Sequence, residues 1–122
     1  MSEKLVIAAA RAHALVSLSD GRTAWLEAHG FAARMRRDPA FSGVAHQQLE
    51  DASAAAFAAF KGDERFDDEA HAIALLLNTR EEREAVLRAA QAALVADGAN
   101  RDQENDAIAA LARAMNLNPR KA

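Results

Sequence analysis

Apolar residues recur every three or four positions along nearly the whole chain, and nowhere do they alternate convincingly in twos. Leu5, Ala8, Ala12 and Leu15 form one such stripe, and Trp25, Ala28, Ala32 and Met35 a second. Ala45, Leu49, Ala52, Ala56 and Phe60 make a third, and Ala70, Ile73, Ala74 and Leu77 a fourth. Leu87, Ala90 and Leu94 follow, then Ile108, Leu111, Ala112 and Met115. This is the period of a helix with one buried face, and six stripes predict six amphipathic helices. Alanine supports the reading: it fills about a quarter of the positions, is the strongest helix former, and lets helices approach closely. At 122 residues there is room for one core and not for two. The expectation is an all-α, single-domain bundle over residues 1–122.

Punctuation falls between the stripes. Ser2, Ser42 and Asp67 are expected to cap the first, third and fourth helices. Thr79-Arg80-Glu81-Glu82 reads as a capping box, in which the Thr hydroxyl takes the amide of Glu82 and the Glu carboxylate reaches back. Asp38-Pro39 is expected to end the second helix, because the residue before proline avoids the α region. Asn118-Pro119 is expected to close the sixth, and Lys61-Gly62-Asp63-Glu64 reads as a turn.

Several function classes drop out. The chain has no cysteine, which excludes disulfides, thiolate nucleophiles and Cys-based metal centres. The formal net charge of −3 argues against a general nucleic-acid or anionic-membrane binder. No apolar run approaches the roughly 20 residues of a membrane span. Leu5 to Ala10 is interrupted by Arg11 and His13 too early for a secretory signal, so a cytoplasmic location is expected. No Ser stands in GxSxG, and the five glycines never cluster into a phosphate loop.

The chain also repeats itself. Asp20-Gly21 is followed by Glu27, and Asp97-Gly98 by Glu104, with the same Asp-Gly-x5-Glu spacing. Under one constant offset Arg11 falls on Arg88, Ala12 on Ala89, Phe31 on Ile108 and Arg36 on Arg113. A helix–Asp-Gly corner–helix unit therefore occurs twice, at about 5–37 and 80–116, with helices at about 43–77 between. A pseudo-twofold arrangement of the two units is expected.

The run from Ala85 through Asp97-Gly98 and Glu104 to Asn116-Leu117-Asn118-Pro119 resembles the C-terminal half of the TerB tellurite-resistance family. Asp20 to Glu27 looks like that family's N-terminal copy, and Phe66-Asp67-Asp68-Glu69 with Asn78-Thr79 fits its middle. The resemblance spans about Leu5 to Pro119. It implies an all-helical bundle with internal symmetry, associated with tellurite resistance and bacterial stress response and with no enzymatic activity. It also implies a metal ion at the acidic corners and action alongside membrane-bound partners. Thr23 and Asn100 stand where the family usually has an apolar plug, and Trp25-Leu26 where it prefers acidic or small polar residues.

Two readings of the corners stand side by side. Asp-Gly-x5-Glu matches the second half of an EF-hand loop, whose Glu is a bidentate calcium ligand. The earlier EF-hand ligand positions are Ala93 and Val95, which excludes a high-affinity EF-hand. A weaker divalent site could draw on Asp97, Asp102 and Glu104, and in the first copy on Asp20 and Glu27. Alternatively, the Asp caps local amides and the Glu completes a helix N-terminus.

The remaining features read as structural. His13, His29, His46 and His71 form no ligand pair and are expected at the surface or boundary. Arg34, Arg36 and Arg37 suit a helix C-terminus. Asp63, Glu64, Asp67, Asp68 and Glu69 suit a solvated turn and helix start. Trp25 is expected in the core or at its boundary. The leading functional expectation is a non-enzymatic, cytoplasmic, TerB-like stress protein that binds a divalent metal. The alternative is a helical protein–protein interaction module whose acidic corners are purely structural.

Overall fold

The computed structural model describes residues 3–18, 24–60, 66–95 and 101–117, with side chains described over 3–16, 30–60, 67–92 and 106–117. Six α-helices run in chain order: α1 Glu3–Leu18, α2 Ala24–Met35, α3 His46–Ala59, α4 Phe66–Ala74, α5 Arg80–Val95 and α6 Arg101–Ala114. A 3-10 turn, Pro39–Phe41, lies between α2 and α3. Among the described residues there is no strand, and no helix is long and apolar enough to cross a membrane.

Helix α1 sits at the centre. It packs most extensively on α5, broadly on α3, and also on α6 and α4. Its burial is correspondingly wide: Leu5, Val6, Ala8, Ala9, Ala10, Ala12, Ala14, Leu15 and Val16 are all buried. The single stripe expected from the spacing is therefore too narrow for α1. Neighbours on several sides bury most of the helix, and its alanines leave room for them to come close. α5 is buried nearly as widely, through Ala85, Val86, Leu87, Ala89 and Ala90. α6 is buried as widely, through Ala107, Ile108, Ala110, Leu111 and Ala112. Ile108, Leu111, Ala112 and Met115 of the sixth stripe are all buried.

The packing keeps part of an exchange of the two halves: α1 lies against α5, α2 against α3, and α6 against α4, whereas the broad α1–α3 contact has no comparable α4–α5 counterpart. The corners agree with it: Leu18 and Val95 end the incoming helices, and Ala24 and Arg101 start the outgoing ones. Each of these pairs is separated by the same sequence offset as Asp20 and Asp97.

Local chemistry sets the helix ends. Thr79 Oγ1 accepts from the Glu82 amide at 3.1 Å, and Glu82 Oε1 accepts from the Thr79 and Asn78 amides at 3.0 and 2.8 Å. This is the capping box read from the sequence. Ser42 does not cap α3. It ends the 3-10 turn instead, and the residue before α3 is Ala45, which makes no side-chain cap. Asp67 lies inside α4 rather than before it. Asp38 caps the 3-10 turn, its Oδ1 accepting from the Ala40 amide at 3.0 Å, while α2 has already ended at Met35. α6 closes before Asn118-Pro119, on Asn116 at φ 58°. The Leu117 amide reaches the Ala112 carbonyl at 2.9 Å and the Asn116 amide reaches Arg113 at 3.1 Å. Together these make a Schellman motif, in which asparagine tolerates the left-handed position. Ser2, Lys61-Gly62-Asp63-Glu64 and Asn118-Pro119 lie outside the described residues.

Candidate functional site

The five residues singled out as metal ligands fall at the two corners. Asp20 and Asp97 lie between helices, outside the described residues. Glu27 is the fourth residue of α2, and Asp102 and Glu104 are the second and fourth of α6. Their side chains also lie outside the described set, as do those of Trp25 and His29. The fold thus places each Glu in the first turn of an outgoing helix, where a carboxylate suits the positive end of the macrodipole. Among the described residues no group of three His, Asp or Glu side chains converges as a metal site.

Polar chemistry inside the bundle is concentrated where α1 and α5 meet the end of α2. His13 of α1 is fully buried, which overturns its expected surface or boundary position. The cause is the wide burial of α1, whose neighbours cover the face that carries His13. Arg34 Nη2 stands 2.8 Å from His13 Nε2. A guanidinium can only donate, so Nε2 accepts and the proton of the neutral ring sits on Nδ1. That Nε2 lone pair is committed to Arg34, so His13 is a packing and hydrogen-bonding residue, not a metal ligand through this atom. Phe31 tilts against the His13 ring at a centroid distance of 5.0 Å. Gly30 makes room for the guanidinium, because a Cβ there would stand 3.1 Å from Arg34 Nη1. The basic cluster therefore divides: Arg34 is half-buried against α1, while Arg36 and Arg37 are exposed.

Four residues beyond Arg34, Asp38 meets Arg88 of α5. Arg88 Nε donates to Oδ2 at 2.8 Å and Nη2 to Oδ1 at 3.1 Å. The guanidinium holds the Asp38 carboxyl below its ordinary range, against the opposing effect of burial and with help from the Ala40 amide. The same bond pushes Arg88 up. Charge-assisted bidentate pairs of this kind fix geometry as well as adding stability. Arg113 and Asp67 also pair, at 2.9 Å, but with side chains 66% and 72% exposed. Such a pair contributes little.

A second feature opens at the surface. Glu3, Val6 and Ile7 of α1 and Gln48, Asp51 and Ala52 of α3 line a cleft of about 390 Å³. Ile7 is one of two large apolar side chains exposed among the described residues, the other being Leu75. Nothing in the sequence marks it separately, since Val6, Ala9 and Ala10 lie off the same stripe and are buried.

Comparison with protein-family models, with curated proteins and with solved structures found no match. The family resemblance rests on the residues of the chain itself.

Proposed function

We propose that this chain is a non-enzymatic, TerB-like protein of the cytoplasm, acting in tellurite resistance or a related bacterial stress response. In this reading the paired Asp-Gly corners hold a divalent cation, and the helical surface engages protein partners, some of them membrane-bound. The observation that carries it is the coincidence of the corners. Helices end at Leu18 and Val95 and restart at Ala24 and Arg101 under one offset, and the α2–α3 and α4–α6 pairings match under the same exchange. That supports a common plan for the two units. The donor set of Asp20, Glu27, Asp97, Asp102 and Glu104 is all carboxylate, which suits hard cations such as Ca²⁺, Mg²⁺ or Mn²⁺.

Calorimetric titration with Ca²⁺, Mg²⁺, Mn²⁺ and Zn²⁺ tests the metal. Saturable binding is expected, weakened about tenfold or more by Glu104→Gln, as loss of a charged ligand requires. No heat and an unchanged melting temperature with all four ions would remove it. The second reading is an interaction module with structural corners, and the α1–α3 cleft favours it. Partner binding that survives chelation and the double substitution Asp97→Asn/Glu104→Gln would select that reading.

A further inference from the structure

We propose that the cleft between α1 and α3 is a docking groove for a basic amphipathic helix of a partner protein. The inference deepens the interaction reading above, rests on it, and does not depend on a metal. Two helices that pack side by side present parallel ridges. Here Glu3, Val6 and Ile7 sit at i, i+3 and i+4 of α1, and Gln48, Asp51 and Ala52 repeat that spacing on α3. A third helix is the shape that follows such a furrow. Val6, Ile7 and Ala52 form its apolar floor, and Ile7 is 40% exposed. The volume of about 390 Å³ lies near the lower end of the roughly 300–1,000 Å³ typical of ligand clefts, enough for one or two anchoring side chains.

The rim decides the chemistry. Glu3 and Asp51 both carry carboxylates, and neither forms an ion pair among the described residues. Gln47 Nε2 donates to Asp51 Oδ1 at 2.8 Å, which steadies that carboxylate and leaves its second oxygen for an incoming donor. An acidic rim repels nucleic acid and anionic lipid. An apolar floor is wasted on a bare cation. A helix with a leucine stripe flanked by Lys or Arg satisfies both the floor and the rim.

The test uses the full chain in chelator-containing buffer, so that its outcome is independent of the corners. The probe is a helical Leu/Lys peptide of about four turns, with a Leu/Glu peptide of the same apolar pattern as comparison. NMR titration should show saturable shifts centred on Val6, Ile7, Gln48, Asp51 and Ala52, with the Leu/Glu peptide at least about tenfold weaker. Glu3→Gln/Asp51→Asn should weaken the Leu/Lys peptide about fivefold and flatten its salt dependence. Ile7→Ser should weaken it at unchanged salt dependence. Asp67→Asn/Asp68→Asn on α4 should leave it unchanged. Non-saturable binding, shifts centred on α4, or equal losses in the α4 and groove variants would overturn the proposal. A negative result here beside a positive cation titration would leave the metal reading standing.

Discussion

Arg88 and Asp38 lie 50 residues apart in sequence and meet through two parallel hydrogen bonds, 2.8 and 3.1 Å long. The same Asp38 carboxylate caps the 3-10 turn after α2. One side chain thus both turns the chain toward α3 and fastens that turn to α5. Asp38→Ala loses the cap and the pair together and should cost about 1–2 kcal/mol in chemical denaturation. Its partner's side chain is 40% exposed, which holds the figure at that modest level.

The pair also sets a pH dependence. The Asp38 pKa is lowered from its ordinary value of 3.8. Its stabilisation is therefore complete above that value and is lost as pH falls through the lower, folded-state pKa. The stability gap between the wild-type chain and Asp38→Asn should be constant from neutrality to about pH 5 and narrow below about pH 4. Arg88, raised by the same contact, stays charged throughout and adds nothing to the acid response. A gap that widened toward acid in parallel melting curves would contradict the assignment.

His13 and Arg34 should behave as a coupled pair. Under the offset of the repeat their positions correspond to Ala90 and Leu111, both buried, so the second unit carries apolar side chains at these positions. Arg34→Leu alone removes the donor from a buried ring nitrogen and should cost about 1–3 kcal/mol. Adding His13→Leu should recover part of that loss. A double-mutant cycle is expected to show coupling of about 1 kcal/mol, and additive effects would refute the contact.

Thr79→Ala should destabilise the chain by about 1 kcal/mol through the start of α5. Glu82→Ala should cost a similar amount, and the double variant less than the sum, because the two side chains close one reciprocal box. Urea midpoints of the three variants check this.

Ser53→Ala should stabilise. Ser53 is fully buried and its Oγ has no hydrogen-bond partner among the described residues. Removing a buried, unbonded hydroxyl from a helix interior should gain about 1 kcal/mol, read as a higher melting temperature.

Gly43→Ala should do the opposite. Gly43 has φ 90° with nothing within 4 Å of where a Cβ would stand. The cost is therefore backbone strain and not collision, about 1–2 kcal/mol. Asn116→Gly, at φ 58°, should be neutral or slightly stabilising by the same reasoning.

The helices and the Thr79–Glu82 box could be read directly from residue spacing, because both depend on neighbours within one turn. The same logic misplaced the caps at Ser42 and Asp67. Ser42 is a competent capping residue, but the 3-10 turn Pro39–Phe41 uses it as an exit. His13 was misjudged for a different reason: polarity predicts a surface position only when nothing covers the face in question, and α1 has neighbours on several sides. The acidic corners were legible as a repeated motif, and the cleft at Ile7 was not, because Val6, Ala9 and Ala10 lie equally off the stripe and are buried.

Periodicity and alanine content determined by themselves that this chain is helical, and the capping chemistry at Thr79 determined where α5 begins. These are properties of local segments, set by side chains three or four residues apart. Tertiary structure alone decided that α1 is the central helix, that His13 is buried against Arg34, that Arg88 reaches Asp38, and that Ile7 and Asp51 share a cleft. Each of those relations joins residues on different helices, and only the packing of one helix against another brings them within contact distance.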